Sequence, residues 1–248
     1  MKSGKTNIEQ VKSVAKTFLY LDIQTTEYYP LIISHPFFDT GITCIKGETG
    51  LQMVNIAEND EDLSLARKMQ EQMIDTVETV VSLSMHITKP YKLIFLKYIK
   101  QYLSAEDIGT YLALNWSLIE NISGDKNITK SQMVSMFRAA DKDTLLSDID
   151  RQALDGISDC IEIYRGIKRG KHHEILGMSW TTNIEVARKF ANRFNKGGTV
   201  YKGKIDKKDI LAYFDNRSES EVVVDYRGLY EIKKIEEIKP DGEIIAIE

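Results

Sequence analysis

The sequence predicts an α+β fold, with helices first and strands after, on three observations. Apolar residues recur at spacings of three and four through residues 62–154. From residue 160 the pattern changes to alternating or continuous β-branched runs. The composition, 42% hydrophobic and 28% charged with no low-complexity tract, is that of a chain with a packed core. At 248 residues there is room for one large domain, or a domain plus a smaller module. Residues 1–89 are expected as a mainly helical N-terminal segment with a hairpin, and 90–248 as a second domain, helical over 91–155 and β-rich over 160–248.

The elements follow in order. Ile8, Val11, Val14, Ala15 and Phe18 predict a helix over 8–20. Two apolar runs, Ile42 to Ile45 and Leu51 to Val54, flank Gly47-Glu48-Thr49-Gly50 and predict a hairpin. Ala66, Met69, Met73, Val77, Val80 and Val81 predict one long helix from about Asp62 to Met85, with the methionines as core filler. After Pro90 an amphipathic helix is expected over 91–102, then one capped by Ser104 carrying Ile108, Leu112, Trp116 and Ile119. Thr129 and Gln132 form a capping box ahead of Met133, Met136, Phe137 and Ala140, and a further helix is expected near 145–154. Ile161 and Ile163 begin the strands. Thr182 to Glu185 opens a helix expected to turn Ala187, Phe190, Ala191 and Phe194 inward. Strands are expected at Thr199–Ile205 and Glu221–Val224, and a terminal hairpin at 230–247.

The net charge of −4 gives little purchase on a phosphate backbone, so nucleic-acid binding is not expected. The densest cation run, Lys168, Arg169 and Lys171, reads as a solvated loop. Two cysteines far apart, Cys44 and Cys160, fit neither a zinc site nor a redox pair. Residues 1–17 are charged without an apolar signal core and no stretch reaches membrane-span length, so a cytoplasmic location without membrane association is the expectation.

Three segments carry potential chemistry. In Ile161-Glu162-Ile163-Tyr164-Arg165-Gly166, strand alternation puts Arg165 on the face of Ile161 and Ile163. A guanidinium there needs an anionic partner, a phosphate or a carboxylate. Gly166 permits close approach to the backbone. In Gly177-Met178-Ser179-Trp180-Thr181-Thr182, Thr182 is explained as a helix cap, whereas Ser179 and Thr181 are not. In Ser218-Glu219-Ser220-Glu221, the two glutamates share a face if the run is extended.

Taken in order, these segments resemble the Arg…Ser-x-Ser/Thr…Glu-x-Glu signature of mono-ADP-ribosyltransferases, over residues 160–225. The stretches Leu114 to Glu120 and Met136-Phe137-Arg138 resemble phage and prophage members of that group. The resemblance implies the ADP-ribosyltransferase fold, N-terminal helices followed by a mixed or antiparallel β-sandwich around an NAD⁺ cleft. It implies transfer of ADP-ribose from NAD⁺ to a protein side chain. By the same resemblance Arg165 grips the NAD⁺ phosphates or adjoining ribose and the Gly166 backbone holds the carboxamide. Ser179 positions Glu221, with Thr181 beside it. Glu221 bonds the ribose 2′-hydroxyl and stabilises the oxocarbenium-like transition state, and Glu219 orients or deprotonates the acceptor. Tyr213 and Phe214 fall on the loop where such enzymes recognise a target. The Glu-x-Glu form resembles members that modify arginine, so a host protein acceptor is expected, met in the host cytoplasm for a phage-encoded chain.

Ser179-Trp180-Thr181 departs from the commoner Ser-Thr-Ser, but Trp180 alternates away from Ser179. No GxGxxG or P-loop is present, so NAD⁺ would bind as a substrate without a Rossmann fold. The adjacent His172 and His173 cannot share one face, and no metal site is expected. Residues 166–177 read as a mobile loop near the cleft. Two other readings stay open: an NAD⁺ glycohydrolase using the same residues, and a non-catalytic phage-type interaction protein with a degenerate site.

Overall fold

The computed structural model describes residues 4–47, 50–119, 127–171, 174–215 and 218–247. The turn residues Glu48 and Thr49 and the pair His172 and His173 lie outside them. The chain is α+β and divides into two compact units, residues 1–120 and 121–248. The boundary thus falls later than the expected residue 89, because the helices after Pro90 pack on those before it.

In the first unit, helix α1 (Ile8–Leu19) is capped by Asn7 and buries Val11, Ala15, Phe18 and Leu19. Strands β1 (Gln24–Thr25) and β2 (Ile33–Ser34) pair antiparallel, as do β3 (Ile42–Gly47) and β4 (Gly50–Asn55), the expected hairpin. The long helix expected from 62 to 85 is two helices, α2 (Asp60–Thr76) and α3 (Val80–His86). Val77 turns extended and the Thr79 hydroxyl accepts from the Ser82 N–H, so a fresh N-cap interrupts an otherwise continuous apolar stripe. Ala66 is buried as expected, whereas Met69 is exposed and Ile74, outside the expected stripe, is buried. Helix α4 (Lys92–Ile99) is shorter than expected, flanked by 3-10 turns, and α5 (Ala105–Asn115) is capped by Ser104. Helix α1 packs on α2 and α4, and α5 on α3 and α4, with the Phe18 ring edge-on to Phe95.

His35 is buried in this unit between two main-chain partners. The Phe37 N–H donates to its Nδ1 at 3.1 Å, so the ring proton sits on Nε2, 3.1 Å from the Leu21 carbonyl. A second proton on Nδ1 would oppose the Phe37 N–H. Burial, reinforced by the nearby Arg67 charge, pushes the imidazole pKa down from 6.5 to about 4. Between those values the unfolded chain takes up a proton that the folded chain does not. Stability is therefore full above about pH 6.5 and falls as the pH drops toward 4, by about 3 kcal/mol over the whole window. Urea midpoints at pH 7.5 and 5 should show this slope. His35→Gln should flatten it, and an unchanged slope in that variant would assign it to another group.

The second unit opens with α6 (Lys130–Ala139), whose capping box joins Thr129 and Gln132 as expected. The helix expected at 145–154 is instead α7 (Lys142–Leu145) and α8 (Asp148–Gly156), separated where the Ser147 hydroxyl accepts from the Asp150 N–H. There follow β5 (Cys160–Lys168), β6 (Ser179–Thr181), α9 (Ile184–Ala191), β7 (Gly198–Asp206), β8 (Ile210–Phe214), β9 (Glu221–Val224), β10 (Tyr230–Ile238) and β11 (Ile244–Ala246). The strands form one seven-stranded sheet, ordered β11-β10-β7-β5-β6-β9-β8, with every neighbour antiparallel. The expected sandwich is thus drawn as a continuous sheet. Its centre is thin, however, since β5 and β6 pair only at Tyr164 and Thr181.

Alternation gives this sheet two apolar faces. Ile163, Ile167, Trp180, Tyr201, Ile205, Ile210, Val222 and Val224 form one core cluster, drawn from both sides of the thin junction. On the other face α9 packs Ala187 and Ala191 against Val200 and Ile238. The small pair faces inward because the helix lies almost on the β5 backbone. Phe190 and Phe194, expected inward, are 39% and 68% exposed. The α9 cap is Asn183, not Thr182. Among the described residues no helix is long and apolar enough to cross a membrane.

Candidate active site

Arg165, Ser179 and Glu221 come from three strands and are joined by hydrogen bonds at the sheet's thin centre. Glu221 heads β9, where it is paired with Thr181 and lies two positions from the Ser179–Val223 pair. The Ser179 hydroxyl donates to Glu221 Oε1. The Ser179 carbonyl accepts from Arg165 Nη1, and Arg165 Nε donates to the Glu174 carbonyl at 3.1 Å. Ser179 therefore couples the carboxylate to the guanidinium through its two ends. Gly177 makes this possible, because a Cβ there would lie 2.2 Å from Arg165 Nη2. Burial pulls the Arg165 pKa down to about 10, against the attraction of Glu174 and Glu221, so the group stays cationic at neutral pH.

A guanidinium has five N–H donors, and two are committed to main-chain carbonyls here. The anionic partners anticipated for Arg165 are present as charges, Glu174 and Glu221, rather than as a bidentate carboxylate bond. Gly166 points to the opposite face. A Cβ there would sit 1.8 Å from the Ala187 carbonyl oxygen, so the close approach that Gly166 permits is that of α9.

Thr181 is buried and its hydroxyl is fully employed. It donates to the Glu219 carbonyl at 2.6 Å and accepts from the Asn183 N–H at 3.0 Å. Its place is thus in anchoring the Glu219 turn. That turn is not extended: Ser218 and Ser220 have φ of 54° and 43°, in the left-handed region. The same-face argument for Glu219 and Glu221 therefore fails. Asp215 holds the turn by accepting from the Ser220 N–H at 2.8 Å, and Ser220 in turn accepts from the Thr182 N–H. Among the described residues the Glu219 carboxylate has no hydrogen-bond or ion-pair partner. Tyr213 and Phe214 lie on β8, not on a loop. Phe214 is buried and paired with Glu221, and Tyr213 packs on the core.

Several neighbours escaped sequence reasoning. Glu174 and Gly177 lie in the segment taken for a loop, and no pattern marks them. Lys130 was read only as the start of a capped helix. Its Nζ donates to the Leu176 carbonyl at 2.7 Å and lies 5.3 Å from the Tyr226 ring centre. Burial and then the charge of Arg165 lower its pKa, so two cations flank the 174–179 segment. Helix α6 is tied to the far end of β9 through Arg138 and the buried Asp225, 2.8 Å apart. Asp225 also takes both arms of Arg227, which hold its carboxyl well below the usual range, with Arg138 adding to the effect.

Among the described residues no group of three His, Cys, Asp or Glu side chains is placed to hold a metal ion. Cys44 and Cys160 are exposed free thiols. Compared with known proteins, the chain matches no family model, no curated protein and no solved structure. The reading of the site therefore stands on its geometry. A carboxylate fixed by a hydroxyl, with a guanidinium charge behind it, is suited to stabilising positive charge that develops on a bound substrate.

Proposed function

We propose that residues 121–248 form an ADP-ribosyltransferase-like domain that transfers ADP-ribose from NAD⁺ to a protein side chain, arginine by preference. The observation that carries this reading is the hydrogen bond from Ser179 to Glu221, with Arg165 bonded to the same serine. Residues 42 positions apart, singled out on resemblance, meet in one hydrogen-bonded chain.

In this reading the bond between the ribose C1′ and the nicotinamide nitrogen breaks, and its electron pair stays on nitrogen. Nicotinamide leaves neutral and the ribose becomes cationic. The Glu221 carboxylate stabilises that cation and accepts from the ribose 2′-hydroxyl. Ser179 keeps the carboxylate from rotating, and Arg165 keeps Ser179 in place, with its remaining N–H groups toward the phosphates. An arginine nitrogen of the acceptor then bonds to C1′ and gives up a proton to Glu219, whose carboxylate has no partner among the described residues. The recognition role first given to Tyr213 and Phe214 passes to another surface.

The test is incubation with NAD⁺ labelled in its adenylate phosphate and a cell lysate. Labelled protein bands matched by released nicotinamide are expected. Free ADP-ribose without labelled protein would replace transfer by hydrolysis, and no nicotinamide release would overturn both.

A further inference from the structure

The cation run Lys168, Arg169 and Lys171 does not stand alone in the fold. Lys168 pairs with Gly198 and the Arg169 N–H donates to the Gly197 carbonyl at 3.1 Å, which brings the end of β5 against the turn after α9. That turn and helix add Lys189, Arg193 and Lys196. Among the described residues, Lys168, Arg169, Lys189, Arg193 and Lys196 have no carboxylate partner, and Lys171 has only Glu174 at 4.0 Å. Such a patch is conspicuous in a chain of net charge −4. Phe194 stands in its middle, 68% exposed, with Lys168 Nζ and the Arg193 guanidinium 5.0 and 5.2 Å from its ring centre. Phe190, near the end of α9, is also exposed.

The backbone at Phe194 is strained. Its φ is +69°, a region unfavourable for a bulky side chain and natural for asparagine or glycine. A phenylalanine held there and turned to solvent belongs to neither core cluster of the sheet, whereas strain retained at a surface is common where a partner binds. Aromatic and arginine side chains are the types enriched at protein interfaces. Two cations already lie over the Phe194 ring, so a stacking nucleobase would have to displace one.

We infer that this surface docks an acidic segment of the protein acceptor, with Phe194 entering an apolar contact and the cations pairing with carboxylates around it. The inference names the partner of the transferase read above and rests on that reading. Docking on this surface would engage the acceptor through none of the residues given to NAD⁺.

Binding can be measured with no NAD⁺ present, by the fluorescence anisotropy of a labelled glutamate-rich peptide carrying one leucine and one arginine. Its glutamine counterpart is expected to bind about tenfold more weakly at low salt, with the difference shrinking as salt rises. Lys189→Glu with Lys196→Glu, both at exposed positions, should abolish that preference. Phe194→Asn should weaken binding about fivefold yet melt no lower than the parent, a combination that a packing role would not give. Nicotinamide release from NAD⁺ should be the same in all of them. Equal binding of the two peptides, or a preference that survives the double substitution, would overturn the inference. So would displacement of the peptide by single-stranded RNA or phosphatidylserine vesicles at equal charge. A parent that binds the acidic peptide but releases no nicotinamide sinks the transferase reading and keeps the docking surface. Release without peptide preference does the reverse.

Discussion

Glu221→Gln is expected to lower nicotinamide release from NAD⁺ by about 10²–10³-fold, with the loss in kcat rather than in KM. The substitution is nearly isosteric, and a glutamine oxygen can still accept from the Ser179 hydroxyl, so the strand ends should not move. What goes is the negative charge. In the ground state the ribose next to the cationic nicotinamide gains little from it, whereas in the transition state the ribose itself is cationic. Steady-state kinetics and thermal melting on the same preparations separate the cases. A full kcat in a variant that melts like the parent would show that Glu221 is not the charge the reaction uses. Ser179→Ala is the milder companion, because the carboxylate remains but loses its fixed rotamer.

Gly166→Ala is expected to destabilise the second unit by about 3 kcal/mol, the upper part of the usual overpacking range. The added methyl would meet the Ala187 carbonyl oxygen at 1.8 Å and the Ala191 nitrogen at 2.6 Å. Both are helix backbone atoms, which cannot step aside as a side-chain end can. Either α9 lifts from the sheet or β5 bows away from it, and β5 carries Arg165 at the next position. The denaturant midpoint should fall and activity should fall with it. A midpoint equal to the parent's would mean that α9 does not lie against β5 as described.

Local signals in the sequence read well wherever they were sufficient causes. The Thr129 capping box, the Ser104 cap, the 42–55 hairpin and the strand at Glu221–Val224 appear where predicted, because each is fixed by short-range hydrogen bonding or β-propensity. The reading failed where one periodicity covered two elements. The stripe through Val77 and Val80 stays in phase across a break that only the Thr79 hydroxyl creates. It failed again on α9, where hydrophobicity pointed Phe190 and Phe194 inward. The sheet, approached through Gly166, has room only for alanines. At the candidate site, order along the chain indicated Arg165, Ser179 and Glu221. It could not reveal that Ser218 and Ser220 turn left-handed, nor that Glu174 and Lys130 arrive from other elements, since those follow from tertiary closure.

The thin centre of the sheet has a mechanical consequence. A ladder with a single rung between β5 and β6 resists sliding poorly, and the two panels it joins carry the site's two halves, Arg165 on one and Ser179 with Glu221 on the other. The Arg165 guanidinium crosses that seam to the Ser179 carbonyl and takes the place of missing rungs. It acts as a tension member as well as a charge, so lysine at 165 would keep the charge and still let the seam slip.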